Sequence, residues 1–595
     1  MFDLVISRAT VVDGTGAPAR IADLGVRDGR IAEIGTIEES ARRTIDAHGL
    51  VVAPGFVDIH THYDAQLFWD PTASPSPLHG VTTVFGGNCG FSLAPAEGTA
   101  SDYLMRMMAK VEGMPLAALE QGLEWDWSSF SEWLDRLDRP FAVNAGFLCG
   151  HSALRRSVMG EAAVGGEASP AQIEEMARVL ARALAAGAMG FSTSTAPPHN
   201  DGAGQPVPSR AASRHEMIAL ASVLKEHPGT TLELILAGSL NGFTEEEIEL
   251  MTAMSLGANR PVNWNVLGVS AANRAFCERQ LHASTIAANR GATVIALTLP
   301  PGNPMRMTFL SGAPLDGLPG WREVIALPVD ERIRALSNPE VRRRLAAGAA
   351  SEEAGILRGI ANWPVLQFVE TFSPATRQYQ GRSVAEVAAA RRQEPFDALL
   401  DIVIADGLRT GLRPPAPVET EEDRELRVEI WRDPRTMIGG SDAGAHLDQM
   451  CGATYSTALL AHVRTHGGAH GDRAPSVATR RPLSLEEAVH MLSDAPARLY
   501  GLKQRGRIME GWRADLVVFD PATVGFGPET TRTDLPGGAS RLYTESTGIE
   551  YVFVNGEAVV AEGKLTGVTP GRLLRSGRDT ETVPVPGAHR APAPR

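Results

Sequence analysis

Apolar runs that predict strands alternate with helical patterns through the middle of the chain. The helical patterns, such as residues 170–186 and 216–226, are rich in Ala, Leu, Glu and Arg, which favour helix. This alternation is typical of a parallel sheet covered by helices. More than six such units favour a closed barrel over an open sheet, so we predict an α/β fold with a (β/α)8 TIM-like barrel. The strand-like runs are residues 80–85, 142–147, 190–192, 231–235, 262–266, 292–296 and 436–439.

Short β-rich runs separated by turns occupy both ends of the chain. They fill residues 2–54, where they predict a small antiparallel sheet. They return near the other end, where Asn555-Gly556 is a strong hairpin signal. We therefore expect residues 1–54 and 501–575 to complete one discontinuous domain.

The barrel domain is expected to span residues 55–500, with an insertion and a tail outside its repeating units. The insertion is predicted near residues 300–365, where prolines are followed by a charged run, and a long loop of this kind can act as a lid. Residues 576–595 are again rich in proline. They predict a tail that is either free or laid on a neighbouring subunit.

The composition restricts the partners and the compartment. Of the 595 residues 43% are hydrophobic, and 70 acidic against 56 basic residues give a formal net charge of −14. This charge argues against nucleic acid and against a membrane surface, so a small-molecule substrate is expected. The sequence has no apolar window of about 18 residues and no secretory signal. Its four cysteines are far apart, so we predict a cytoplasmic protein without disulfides, and a homo-oligomer is left open.

Two histidines at positions i and i+2 form the sharpest chemical signal. His60 and His62 follow an apolar strand pattern, and on a strand this spacing projects both imidazoles from one face, where they can chelate one metal ion. At the carboxyl end of a barrel strand they would point into the mouth that holds barrel active sites. The alternative is a pair of buried, hydrogen-bonded structural histidines.

Two further strand ends carry metal-ligand side chains. Cys89 follows an apolar strand in a glycine-rich turn, and its thiolate would be a good zinc ligand, although a lone cysteine can also be a small core residue. Asp442 follows a late strand in a Gly-Ser turn, where it can touch a metal and move a proton, or else cap the next helix. His446, four residues on, is expected either in the site wall or on a helix surface.

Several longer segments resemble the amidohydrolase superfamily and, within it, the D-aminoacylase branch of N-acyl-D-amino-acid deacylases. The resemblance implies a (β/α)8 barrel with a small β-sandwich built from both chain ends, and zinc-dependent hydrolysis of an amide. It places His60, His62 and Cys89 on metal positions and Asp442 on the metal-binding catalytic carboxylate. The segments are GFVDIHTHYD, VTTVFGGNCGFS, GHSALRRSVMG, GAMGFSTS, GGSDAGAH, SLEEAVHMLSDAPARLYGL and GRIMEGWRADLVVFD.

The chain departs from the branch in its expected metal ligands. The resemblance implies two further histidines on mid-barrel strands, whereas the matching strands offer Glu233 and the asparagines of residues 262–266. None of the four lysines falls on a predicted barrel strand, so a carboxylated lysine bridge is not expected. We therefore favour one zinc ion per chain and leave a second open. His151 and His199 are candidates for orienting the substrate or completing the metal shell.

A second departure concerns the substrate. Deacylases of this branch are expected to clamp the substrate carboxylate with an arginine soon after the SDA turn, but residues 443–461 contain none and Arg464 is the first. Arg155, Arg156 and Arg377 could serve instead, although surface positions are favoured for all three. His151, His199 and His446 are the predicted substrate-binding residues.

These observations predict a zinc-dependent amidohydrolase that cleaves an N-acyl-D-amino acid or a related N-acyl compound. The expected nucleophile is a metal-bound hydroxide, with Asp442 as proton shuttle. One alternative is a cyclic-amide hydrolase of hydantoinase or dihydroorotase type, which the missing strand lysine disfavours. The other is a non-catalytic binding protein that kept the fold.

Overall fold

A computed structural model describes residues 1–98, 100–302, 305–312, 314–416, 418–467 and 481–587. Strands dominate both ends of the chain, and strands and helices alternate between them. Among the helices in the described ranges, none has the length and apolar character that a bilayer crossing demands.

The strands are numbered in chain order. They are β1 Phe2–Val11, β2 Arg20–Arg27, β3 Arg30–Gly35, β4 Ala41–Asp46, β5 Val51–Pro54, β6 Phe56–Asp58, β7 Val81–Gly86, β8 Asn144–Phe147, β9 Cys149–Gly150, β10 Gly190–Ser194, β11 Thr231–Ile235, β12 Val262–Trp264, β13 Val294–Thr298, β14 Gln367–Glu370, β15 Gly411–Arg413, β16 Thr436–Ile438, β17 Leu516–Phe519, β18 Gly525–Leu535, β19 Ala539–Thr547, β20 Ile549–Val554, β21 Glu557–Ala561 and β22 Lys564–Leu565.

The α-helices are numbered in the same way. They are α1 Ala100–Val111, α2 Leu116–Gly122, α3 Phe130–Leu137, α4 His151–Met159, α5 Pro170–Ala186, α6 Arg214–Val223, α7 Ala237–Asn241, α8 Glu245–Ala258, α9 Arg274–Asn289, α10 Arg322–Ile325, α11 Val329–Ser337, α12 Pro339–Ala350, α13 Val384–Arg391, α14 Pro395–Ala405, α15 Glu421–Trp431, α16 Tyr455–His466, α17 Leu485–Leu492 and α18 Asp494–Leu499.

Helix α5 shows how local sequence sets the ends of an element. The Ser169 side chain accepts from the backbone N–H of Gln172, whose side chain accepts in return from the Ser169 backbone. Pro170 occupies the first turn, where its missing N–H costs nothing. Gly187 ends the helix in the left-handed region at a φ of 111°. The predicted helix over residues 170–186 is confirmed.

Parallel strands form the central part of the molecule. Strands β6, β7 and β8 pair in that order, and β9, β10, β11, β12, β13 and β16 form a second parallel run. Only Leu148 separates β8 from β9. The first and last strands meet just beyond their ends, where the Asp442 N–H donates to the His60 carbonyl and Thr61 bridges Ala443 in parallel. This order is consistent with a closed eight-stranded barrel, and the strands are buried on both faces as parallel sheets require.

Strands from the two chain ends form one sheet of nine strands. Strand β17 pairs antiparallel with β5 and joins the carboxyl-terminal strands to the amino-terminal ones. The predicted antiparallel sheet of residues 2–54 is wrong in one respect, because β4 and β5 both run parallel to β1. The chain returns to β1 after the β1–β2–β3 meander, and this return gives a mixed sheet. Strands β18 and β19 pair separately as a two-stranded sheet.

The insertion between β13 and β16 has its own hydrophobic core. Residues 307–412 supply this second core, in which the rings of Trp321 and Trp363 stack at 5.5 Å and those of Trp363 and Phe396 at 5.2 Å. The predicted boundary at residue 365 is therefore too early. The backbone N–H of Met307 donates to the carbonyl of Leu412 at 2.7 Å, so the segment closes on itself much later in the chain.

The described part of the predicted tail is bound to its own chain. Thr580 donates to the carbonyl of Gly229 at 2.6 Å, and the backbone N–H of Gly587 donates to the carbonyl of Gly291 at 2.7 Å. Both acceptors lie in turns that precede barrel strands, so this segment covers the amino-terminal end of the parallel sheet. The expectation of a free tail or one laid on a neighbour is wrong for residues 576–587, and residues 588–595 lie outside the described part.

Candidate active site and metal centre

The paired histidines lie immediately after β6 and are almost completely buried. His60 is 0% exposed and His62 is 1% exposed, and their ring centroids are 5.4 Å apart. The N–H of His62 donates to the carbonyl of Ala443 at 2.8 Å, which ties the end of β6 to the turn after β16. The neighbouring strands therefore fix the backbone that presents both rings.

Cys89 joins the two histidines. One ligand atom from each of His60, His62 and Cys89 lies within 4.8 Å of the other two. The thiol sulphur is 3.4 Å from Nε2 of His60. The turn that carries Cys89 requires glycine, because a Cβ on Gly87 would lie 2.1 Å from the carbonyl oxygen of Leu148.

Asp442 directs its carboxylate at both imidazoles. Its Oδ1 is 3.2 Å from Nε2 of His60 and 3.6 Å from Nε2 of His62. Burial alone would raise its pKa, but hydrogen bonds and charge from the two histidines outweigh burial and hold the pKa of Asp442 well below its usual range. The side chain remains 25% exposed, so an ionised carboxylate faces the opening of the site.

The electrostatic field around His62 suits a cation. Burial would lower its pKa, but the carboxylates of Glu112, Asp442 and Asp64 raise the pKa of His62 to about 9. A field that holds a proton on a buried imidazole also stabilises a divalent ion that displaces this proton. Two imidazoles, a carboxylate and a thiol are donors that zinc accepts. The residues present therefore fit a metal ion.

Two further polar side chains, one on β11 and one just after β12, also border this cluster. Glu233 on β11 accepts from the N–H of Cys89 at 2.7 Å, and its other oxygen is 3.7 Å from Nδ1 of His60. Burial raises the pKa of Glu233 to about 7. The side-chain amide of Asn265, just after β12, is 3.2 Å from Nε2 of His60 and 3.8 Å from the sulphur of Cys89. A carboxylate and an amide thus stand where the family resemblance implied histidines.

Sequence reasoning missed Glu112, which lies beside His62. It follows directly on α1, is 3% exposed, and places Oε2 at 3.5 Å from Nε2 of His62. The residues around it match no metal motif, so the chain offers no local signal for this position.

His151, a predicted substrate-binding residue, is held in a separate buried ion cluster. Its Nδ1 is bonded to Thr193 at 2.8 Å and its Nε2 to Glu216 at 2.9 Å, so both ring nitrogens are occupied by protein groups. Arg155 completes the cluster with a bond of 2.6 Å to Glu216. The expectation that Arg155 is a solvated surface charge is wrong, since its side chain is 0% exposed.

Replacing Arg155 with Met is expected to destabilise the protein by about 3–5 kcal/mol, because Glu216 would lose its permanent cation while remaining buried. Urea unfolding of the purified wild-type and variant proteins measures the change in the free energy of unfolding. The matched control is Arg156→Met on the same helix, where the guanidinium lies over the Tyr103 ring at a half-buried site and should cost less than about 1 kcal/mol. If both variants lost the same free energy of unfolding, the assignment of a buried ion cluster would be contradicted.

His199 and His446 lie at the opening of the site. Nδ1 of His199 is bonded to Ser194 at 2.7 Å, and its ring packs on Phe91. Burial, with the positive charges of His446 and His62, lowers the pKa of His199 to about 3, so the ring is neutral. His446 lies in the turn after Asp442 and not on a helix, and it is half-buried.

The candidate arginines Arg377 and Arg464 are exposed side chains. Arg464 is on the exposed face of α16, and Arg377 is exposed in a short turn. The four lysines lie in α1, in a turn at residues 224–226, in the turn after α18, and in β22. None of these positions is on a strand of the parallel sheet.

Comparisons with known proteins find relatives over nearly the whole chain. The sequence model of the Amidohydrolase family, Amidohydro_3, matches residues 43–560. A D-aminoacylase of Alcaligenes xylosoxydans xylosoxydans is 30% identical over 579 residues, which cover 96% of this chain and 97% of that protein. Its relation to this chain therefore extends over almost the whole length of both.

Two solved structures of this group superpose on nearly the entire chain. One is a D-aminoacylase with a binuclear metal centre, in which one metal is reported to activate and the second to attenuate. It is 28% identical, has a TM-score of 0.62, and the superposition covers 97% of this chain and 100% of that one. The other is an N-acyl-D-glutamate deacylase of Bordetella bronchiseptica complexed with zinc and a phosphonate that mimics the tetrahedral intermediate, at 26% identity, a TM-score of 0.62, and the same coverage. The chain belongs to the amidohydrolase family and, within it, to the D-aminoacylase branch.

Proposed function

We propose that this protein is a metal-dependent hydrolase that removes the acyl group from an N-acyl-D-amino acid or a related N-acyl compound. The observation that carries the proposal is the convergence of His60, His62, Cys89 and Asp442, from the ends of three parallel strands, on one buried point. Zinc in the Bordetella deacylase and the family relation support the same chemistry. The proposal includes a closed (β/α)8 barrel with this point at its carboxyl-terminal mouth.

One zinc ion per chain is the metal content we favour. His60, His62 and Asp442 would hold it, and a bound zinc ion supplies a Lewis acid that polarises the scissile carbonyl and acidifies the attacking water. Burial, together with Glu233, Glu112 and Asp442, raises the pKa of the Cys89 thiol well above its usual range. A second ion would have to rely on Asn265, whose neutral amide is a poor ligand for zinc.

Asp442 is suited to move the proton during hydrolysis. Its carboxylate is ionised, partly exposed towards the opening, and within 3.6 Å of both histidines. It can accept a proton from the attacking water as the carbon–oxygen bond forms. It can then give that proton to the amide nitrogen as the carbon–nitrogen bond breaks, which releases a free amine and a carboxylic acid.

His199 and His446 are the residues we propose for substrate contact. His199 is neutral and its Nδ1 is occupied by Ser194, and within the described part of the chain its Nε2 has no hydrogen-bond partner. A neutral imidazole can donate from that atom to a carbonyl oxygen without changing its charge. His446 borders the same opening from the turn that carries Asp442.

A substrate panel tests the proposal and its alternatives. With zinc supplied, we expect N-acetyl and longer N-acyl D-amino acids to be hydrolysed and their L-forms to be at least about 100-fold slower, which corresponds to about 2.7 kcal/mol of discrimination. Release of the free amine measures turnover. Uncharged acyl amides of the same size are the matched comparison. They measure how much the substrate carboxylate contributes to turnover in a chain that has no arginine soon after the SDA turn.

The other outcomes of the panel are equally informative. Hydrolysis restricted to hydantoins or dihydropyrimidines would replace the deacylase proposal with the cyclic-amide alternative. A zinc-loaded protein that is inactive on every substrate class would favour the non-catalytic binding protein.

A further inference from the structure

Glu112 lies on the side of His62 that faces the other metal-ligand atoms. Nε2 of His62 is 3.5 Å from Oε2 of Glu112 and 3.6 Å from Oδ1 of Asp442. The same Oδ1 is 3.2 Å from Nε2 of His60. Asp442 thus lies between the two imidazoles, and Glu112 approaches His62 at the same ring nitrogen that faces Asp442.

The position of Glu112 contrasts with that of Glu233. Glu233 lies behind His60, with Oε1 at 3.7 Å from Nδ1, the nitrogen that points away from Asp442. Its other oxygen is held by the N–H of Cys89. Glu233 can thus orient the His60 ring, whereas Glu112 faces the ring atom of His62 that can bind a metal.

The negative charge of Glu112 must be balanced by groups within the site, because the side chain is shielded from water. Its side chain is 4% exposed, and within the described part of the chain its ion-pair partner is His62. His62 must also balance Asp442. Asp442 also pairs with His60 and is 25% exposed, so Glu112 is the more deeply buried of the two carboxylates and depends on His62 for its charge balance. A divalent cation beside His62 would supply further positive charge to balance Glu112.

The separations are those of atoms that share a small cation. Zinc bonds of about 2.0–2.2 Å in a tetrahedral arrangement put neighbouring ligand atoms about 3.3–3.6 Å apart. The pairs His60–Asp442, His62–Asp442 and His62–Glu112 are 3.2, 3.6 and 3.5 Å apart. These are three of the six pairs that four ligands would form, and all three are close to this range. Among the described residues, the ligand atoms that all lie within 4.8 Å of one another are those of His60, His62 and Cys89.

The backbone also fixes Glu112 against the opening of the site. Its N–H continues the helical bonding of α1 by donating to the carbonyl of Met108 at 3.0 Å. Its own carbonyl accepts from the N–H of His446 at 2.5 Å. The end of α1 and the turn after Asp442 are therefore locked together, which holds the carboxylate in place.

We propose that Glu112 is a ligand of the catalytic metal, together with His60, His62 and Asp442. The inference rests on the proposed function, because it assumes that a metal binds at the paired histidines. Two imidazoles and two carboxylates would then contribute donor atoms to the ion. This donor set suits zinc, and it also suits cobalt and manganese.

The test is a metal titration of Glu112→Gln in the full-length protein. Cobalt(II) serves as the probe, because its visible absorption spectrum reports its ligands, and zinc affinity is measured by competition with a chelator. We expect zinc binding to weaken at least about 100-fold and the cobalt spectrum to change in band position and intensity. Asp102→Asn, an exposed carboxylate on α1 whose side chain is 69% exposed, is the matched control and should change neither.

Each outcome decides the proposal. Unchanged zinc affinity and an unchanged cobalt spectrum in Glu112→Gln would overturn it, and Glu112 would then be a counterion of His62 alone. A wild-type protein that binds neither metal would overturn both this inference and the proposed function. If Glu112→Gln does not fold, Glu112→Asp is titrated in its place, and wild-type affinity with a wild-type spectrum in that shorter variant would also overturn the proposal.

Discussion

Replacing Asp442 with Asn is expected to lower kcat by about 10³-fold while leaving most of the bound metal in place. Asn keeps an oxygen at the position that lies 3.2 Å from His60, so a neutral ligand atom remains. It cannot accept a proton at the pH of the assay, and the transfer from water to the leaving nitrogen loses its carrier. Steady-state kinetics and metal analysis of the same preparation measure the two effects separately.

Asp448→Asn is the matched control for this experiment. Asp448 lies six residues further along the same loop and accepts from Thr308, away from the histidines. Its substitution should change kcat by less than about threefold, which corresponds to less than about 0.7 kcal/mol. Full activity in Asp442→Asn would remove the carboxylate from the mechanism, and loss of the metal together with activity would assign it to metal binding instead.

Replacing both His60 and His62 with Ala should abolish metal binding and reduce hydrolysis to the background rate. The wild-type protein is expected to hold about one zinc ion per chain, and the double variant less than about a tenth of that, since two of its ligands are gone. Elemental analysis after purification in zinc-containing buffer measures the content.

His48→Gln, an exposed histidine in the amino-terminal sheet region, is the control and should retain the full metal content. Wild-type zinc content in the double variant would mean that the paired imidazoles do not hold the ion. The proposed hydrolytic function would then lose its support.

The parallel strands were predictable because their burial on both faces leaves a continuous apolar run in the sequence. All seven predicted runs overlap a strand of the parallel sheet. The mixed pairing of the nine-stranded sheet was not predictable, because β4 and β5 return to β1 through contacts far apart in sequence. The end of the insertion was missed for the same reason, since Met307 pairs with Leu412 across more than a hundred residues.

Part of the candidate site could be found from local spacing. The spacing of His60 and His62 on a strand implies a shared direction whatever the rest of the fold, and glycine-rich turns after apolar strands located Cys89 and Asp442. Glu112 follows the end of α1, far from His62 in sequence, and its neighbours in sequence carry no metal-ligand pattern.

Two histidines that look alike in sequence show the limit of this reasoning. His151 and His199 both follow strand-like runs and were equal candidates for substrate contact. His151 uses both ring nitrogens on Thr193 and Glu216. His199 uses one on Ser194, and no described residue bonds to the other. Periodicity and spacing along the chain were enough to specify the strands and the paired imidazoles, and the resemblance of longer segments indicated the family. Only the packing of the helices decided which polar side chains contact one another and which keep an atom available for a metal or a substrate. Such contacts join residues that are distant in sequence, and their charges must be balanced once water is excluded.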